Sequence, residues 1–262
     1  MPPSWIPVLF QYSNDRSSGL SVVTAEDGFV ALSDGSSILN SAYPDDQGGV
    51  ALLHRLLETG RRDFSFAGDA KASPVGFSNP EGSLRIPAYS QDPERLFVGR
   101  REPIAVEEWT LEGRLVRTVF LPGGEWRLER PGGSPGYSAG IQHLRVDGEG
   151  RLWVIIRVVD PSWEEAMEEV SHGHRTSQAI SDYNRYWDSV VEVWDKEGRS
   201  VLARKQFPEF FLGFLESGEV YSYRTTEEAI PFVDIHDLRS TIQGVHQERR
   251  WGNECGPEDW LG

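Results

Sequence analysis

The sequence predicts an all-β chain, a β-propeller built from four-stranded antiparallel blades with a short helical insertion in one of them. Three observations lead there. Pairs of short strands recur around tight turns built from Glu or Asp, then Gly, then Arg. A second strand pair precedes each of these hairpins, making four strands per unit. The composition, with 27 Gly, 16 Pro, 9 Trp, 8 Tyr and 12 Phe, is that of a turn-rich and ring-rich chain. A small sheet cannot cover both of its faces alone, so four-stranded units repeated along a chain are expected to pack radially.

The first unit, residues 19–67, places strands on either side of Asp27-Gly28 and closes with the hairpin Val50 to Ala67, with Gly60 in its turn. Glycine belongs there because a tight hairpin needs one residue at positive φ. The second, residues 83–121, turns at Asp92-Pro93 and again at Gly113, within Ala105 to Leu121. The third, residues 141–207, begins with IQHLRVDGEGRLWVIIRVV, where Asp147 to Gly150 divides two strands, and ends with the hairpin Ser189 to Phe207 around Gly198. The fourth, residues 210–245, turns at Ser217-Gly218 and closes with a weaker hairpin, Phe232 to Val245; residues 246–262 form a tail. Gly113 and Gly198 are 85 residues apart, but removing Pro161–Trp187 (27 residues) and Pro122–Gly140 (19 residues) leaves 39, close to the roughly 40 of a blade. One domain spanning residues 1–262 is expected.

The strings RVDGEGRLWV (145–154) and VEVWDKEGRSVLAR (191–204) resemble blades of the six-bladed propellers grouped with NHL-repeat and TolB-like proteins. In that group a blade runs through an Asp-x-x-Gly turn, a strand containing Trp-Val and a strand ending in Asp-x-x-Gly-Arg. The likeness covers about residues 20 to 245 and concerns turn residues rather than chemistry. Four blades are visible instead of six, so either the ring has four or the chain is a fragment; an incomplete ring would expose blade edges that pair into oligomers. The resemblance implies an exported or lipid-anchored protein, and among its enzymes hydrolases, lactonases and lyases that hold calcium near the central channel.

The charge balance, 41 acidic against 26 basic side chains for a net −15, argues against nucleic acid, which requires clustered Lys and Arg. Cys255 stands alone, so no intrachain disulfide or cysteine metal cluster is expected. No apolar run approaches the roughly 20 residues of a membrane span. Met1 to Ser13 lacks the basic residues and apolar centre of a signal peptide. As written the chain reads as cytoplasmic, and as exported or cell-envelope if sequence precedes Met1.

In a propeller the tight turns at Gly28, Gly60, Gly113, Gly150, Gly198 and Gly218 share one end. The long connections Ser33–Gly49, Gly68–Ser83, Pro122–Gly140 and Pro161–Trp187 then share the other, where loops on a rigid scaffold concentrate binding. In the last of these, Ser162 reads as an N-cap with Glu164 and Glu165 in the first turn of a helix reaching about Ser171. Trp163, Tyr183, Tyr186 and Trp187 are either ligand anchors on a lid or rings packed on their own blade. Trp126 and Tyr137, flanking the glycine-rich run 132–136, pose the same choice. His172 and His174, with Glu168 one helical turn earlier, form a weak candidate metal site. The innermost strands, Leu20–Thr24, Leu84–Tyr89, Ile141–Val146 and Phe211–Leu215, hold no Asp, Glu or Asn, which weighs against central calcium. Apart from Arg85, their strongly polar side chains are Gln142, His143 and Arg145.

The expected function is therefore a non-catalytic binding module taking a protein, peptide or small-molecule ligand at the long-loop face, with no obligatory cofactor. The alternative is a lactonase- or lyase-type enzyme using Gln142, His143, Arg145, His172 and His174 at the channel mouth.

Overall fold

The structure, a computed structural model, describes residues 29–44, 50–61, 63, 65–66, 85–91, 94–101, 104–121, 139–172, 175–225 and 231–238. Among the described residues the secondary structure is all-β apart from two single-turn helices. The first sheet has three strands in the order β1 (Phe29–Ala31), β2 (Ser37–Pro44) and β3 (Val50–Leu56). The second has four, β4 (Arg85–Gln91), β5 (Glu94–Arg100), β6 (Ala105–Trp109) and β7 (Leu115–Phe120). Next come β8 (Gly140–Val146), β9 (Leu152–Val159), the inserted strands β10 (Met167–His172) and β11 (Arg175–Ile180), then β12 (Trp187–Trp194) and β13 (Val201–Phe207). The third sheet takes the order β13-β12-β9-β8, while β10 and β11 pair separately as a two-stranded ribbon. The fourth sheet is β14 (Phe211–Phe214), β15 (Val220–Thr225) and β16 (Pro231–His236), and the strand pairs are antiparallel throughout.

One turn recurs at Gly35, Gly60, Gly113, Gly150, Gly198 and Gly218, all with positive φ. In the third sheet the Gly150 N–H donates to the Asp147 carbonyl at 2.9 Å, and the Asp147 N–H donates to the Arg151 carbonyl at 3.0 Å. This is a type I turn closed by a left-handed residue, the geometry that makes glycine necessary. Asp147 reinforces it: Oδ1 accepts from the N–H groups of Glu149 and Arg151, and Oδ2 accepts from the Trp153 indole at 2.8 Å. Burial alone would push this carboxyl up, but the Trp153 and Arg151 hydrogen bonds hold it below its ordinary range.

Consecutive sheets stack through their first strands, β1 on β4, β4 on β8 and β8 on β14. The core lies between them. On β9, Leu152, Val154, Ile156 and Val158 face the second sheet, while Trp153 and Ile155 face the fourth. That period-two division explains why β9 reads as a nearly unbroken apolar run and why β12 is buried throughout: both faces are covered. Close approach is visible at Gly99, where a Cβ would stand 2.8 Å from Ile141 Cγ2.

Several boundaries differ from those the sequence predicts. A turn not expected from the sequence lies at Gly35, where the Asp34 carboxylate accepts from the Ser36 N–H at 2.9 Å and pairs with Arg55 across the sheet; the expected turn at Gly28 lies outside the described residues. Ser37–Pro44 is consequently a strand and not part of a long connection. After Gly60 the ladder continues only as far as Asp63, whose N–H donates to the Arg55 carbonyl at 2.8 Å; no fourth strand of this sheet occurs among the described residues. The helix expected from Ser162 to Ser171 is a 3-10 turn over Trp163–Ala166, and Ser162 makes no side-chain cap. Of the hairpin Phe232 to Val245, the described part is β16. Leu20–Thr24, Trp126, Tyr137, His174 and Cys255 lie outside the described residues, as do all of 68–83 and 122–138.

Candidate functional site

Both tight turns of the third sheet, at Gly150 and Gly198, sit at one end of its strands, so the insertion between β9 and β12 leaves from the other. Hydrogen bonds tie the tight-turn ends of successive sheets together. Arg55 Nη1 donates to the Leu111 carbonyl at 3.2 Å, Arg95 Nη1 to the Lys196 carbonyl at 3.3 Å and Arg145 Nη2 to the Glu216 carbonyl at 2.9 Å. Arg117 likewise donates to the Glu197 carbonyl. In each case an arginine of one sheet holds a turn of the next, so this end is fastened by the fold itself.

The polar residues of β8 are distributed along the sheet junctions. Gln142 Oε1 accepts from Arg101 Nη2 at 3.3 Å. His143 projects toward the fourth sheet, with its ring edge-on to Phe214 at 5.7 Å and its Cδ2 at 3.0 Å from where a Cβ on Gly213 would be. Its Nδ1 is buried with no hydrogen-bond partner, and burial pulls the imidazole down to about 4, so the ring is neutral. Arg145 serves the turn clasp. The three do not converge on one point.

Two buried carboxylates not singled out by sequence reasoning lie within the sheets. Glu107 and Trp109 on β6, and Glu192 and Trp194 on β12, form the same pair, the carboxylate accepting from the indole two residues on at 3.0 and 2.9 Å. Glu107 also accepts from Arg100 at 3.0 Å and stands 3.9 Å from Arg85. Burial brings Arg85 down to about 10 although Glu107 opposes the shift. Burial pushes the Glu192 carboxyl up, against the Trp194 hydrogen bond and the Arg204 charge. The repeated Val-Glu-x-Trp of Val106 to Trp109 and Val191 to Trp194 was the available signal.

At the opposite end the insertion is rooted in a cluster of rings. Trp163, Tyr186, Trp187 and Phe210 are buried together, Tyr186 edge-on to both Trp163 (6.0 Å) and Trp187 (4.8 Å). Arg157 lies 4.6 Å over the Trp187 ring. Tyr183, in contrast, is 55% exposed. It begins the single helical turn α1 (Tyr183–Tyr186), capped by Asp182 accepting from the Asn184 N–H at 3.0 Å. Asn184 also reaches the Tyr223 carbonyl, so the insertion grips the fourth sheet.

From this root the ribbon β10–β11 stands apart from the stacked sheets, with Glu168, Glu169, Ser171, Thr176, Ser177 and Gln178 exposed. Glu168 and His172, expected one helical turn apart, occupy one strand and are separated by about 13 Å along it. Among the described residues no group of three His, Cys, Asp or Glu side chains is placed to hold a metal.

The root also contains a carboxylate pair. Asp160 follows β9 and Asp188 is the second residue of β12, so the two bracket the insertion. Asp188 is buried; its Oδ2 accepts from Gln206 Nε2 at 2.7 Å. Burial, the facing Asp160 carboxylate and the charge of Glu209 push the Asp188 carboxyl above its ordinary range. No helix among the described residues is long and apolar enough to cross a membrane. Comparison with protein-family models and with curated proteins finds no match for the chain.

Proposed function

We propose that this chain is a non-catalytic binding module of β-propeller architecture, engaging a protein, peptide or small ligand at the end that carries the insertion. The sequential stacking of sheets through β1, β4, β8 and β14 supports treating them as blades of the six-bladed type. The observation that carries the functional reading is the ribbon β10–β11. It is a two-stranded element outside the stacked sheets, and an isolated ribbon of that kind is only marginally stable without support. Here it is anchored by a buried aromatic root, on which its own Met167 and Ile180 pack, while Glu168, Glu169, Ser171, Thr176, Ser177 and Gln178, and separately Tyr183, face solvent. A rigidly mounted, polar and exposed element suits recognition.

The enzyme alternative would draw on Gln142, His143 and Arg145, which the sheet junctions engage separately. A random displayed-peptide library provides the test. The reading expects peptides that bind the full chain and lose at least tenfold in affinity when residues 167–180 are replaced by a short turn, or when Tyr183 is replaced by Ala. Selected peptides that bind the ribbon-deleted chain equally well would overturn it. So would turnover of a lactone or ester panel that is lost in His143→Leu.

A further inference from the structure

We propose that Asp160 and Asp188 form a proton-operated latch: one proton held between the two carboxyls keeps the insertion docked, and its loss releases the ribbon. The chain enters the insertion at Asp160 and has just left it at Asp188, and the ladder closes there, with the Asp160 N–H donating to the Tyr186 carbonyl at 2.9 Å. Asp188 is only 6% exposed, and its Oδ1 is buried without a donor; it stands opposite Val158 in the ladder, so Asp160, two residues further on, lies diagonal to it on the same face. Two carboxylates in such a place cannot both be charged cheaply; a single shared proton makes one the donor and the other the acceptor.

Among the described residues no cation offsets the charge on Asp188. Glu209, on the link from β13 to β14, adds a third negative charge, and Gln206 on β13 contributes one neutral amide. On β9, the Arg157 guanidinium lies over the Trp187 ring. From the insertion, the Ser162 N–H donates to Asp160 Oδ1 at 2.6 Å, and Arg185 is paired with Glu165 at 2.5 Å. Asp188 has its ordinary value in an opened insertion and a raised one in the docked state. The stabilisation from the proton is therefore complete below about 3.8 and is lost as pH rises through the raised value. Acid closes the latch and base opens it. Its effect on a ligand rests on the binding function proposed above, whereas docking is a property of the chain alone.

Hydrogen–deuterium exchange of the full chain from pH 3.5 to 8, corrected for intrinsic exchange rates, tests this on peptides covering residues 163–187, with the change expected to begin above the ordinary carboxyl value of 3.8 and to level off past the raised one. The opening constant of the ribbon is expected to rise by up to about tenfold per pH unit, the limit for one proton. Asp188→Asn supplies a permanent amide donor and is expected to flatten that slope while β9 and β12 remain protected. Asp160→Asn serves as the second variant should the first fail to fold. An identical slope in the wild type and in a folded variant overturns the latch. So does millimolar calcium or magnesium restoring protection at pH 8 as fully as acid does, which would make the pair a cation site. Failure of the peptide selection would leave the exchange result intact.

Discussion

The Arg145 guanidinium donates to the Glu216 carbonyl at 2.9 Å, and its Nη1 lies only 2.8 Å from where a Cβ on Gly218 would stand. The third sheet thus grips the first turn of the fourth by filling the space that a side chain would need. Gly60 has the same left-handed backbone, with nothing within 4 Å of its missing Cβ. Gly60→Ala is therefore expected to cost about 1–2 kcal/mol, the backbone penalty alone. Gly218→Ala should cost more, because it also displaces the clasp. Urea unfolding of the two variants checks this; equal losses would show that Arg145 yields freely.

Glu107 is buried with Arg100 on one carboxylate oxygen and Arg85 near the other. Removing one partner of a buried charge cluster strands the others, so Glu107→Ala is expected to destabilise by about 3 kcal/mol or more. Glu192→Gln retains an acceptor for the Trp194 indole and should cost about 1 kcal/mol or less. Denaturant midpoints of the two variants measure the difference, and a reversal of the order contradicts the assignment.

His143 is neutral in the fold, with burial bringing its value from 6.5 to about 4. The unfolded chain takes up a proton below 6.5 while the folded chain does not. Stability is complete above 6.5 and falls as pH drops toward about 4, by about 3 kcal/mol at the limit. Unfolding free energies across this range are expected to slope less in His143→Leu than in the wild type. Parallel curves would mean that the ring is hydrated.

The second and third sheets were legible because the turns at Gly113, Gly150 and Gly198 each place a glycine between strands adjacent in the chain. The first sheet was harder: the turn at Asp34-Gly35 is fixed by a bond from Arg55, distant in sequence, which no local window shows. The insertion misled for a similar reason. Ser162 with Glu164 and Glu165 describes a helix start, but Met167 pairs with Ile180 and Glu169 with Gln178, and cross-strand partners leave no mark in a local window. The aromatic residues were visible, but not their division into a buried trio, Trp163, Tyr186 and Trp187, and an exposed Tyr183. Asp160 and Asp188 meet only because the insertion closes on itself, a juxtaposition that no periodicity encodes.

The central claim is that the tight turns gather at one end and the ribbon projects at the other. Spin labels on cysteines replacing Glu149, Glu216 and Ser177, with Cys255→Ser, measure it by pulsed electron paramagnetic resonance. Glu149 to Glu216 should give a short distance, both residues lying in turns joined through Arg145. Glu149 to Ser177 should exceed it by about the length of β9, whose 8 residues span about 26 Å. A Glu149 to Ser177 distance equal to or shorter than Glu149 to Glu216 would place the ribbon among the turns and contradict the account.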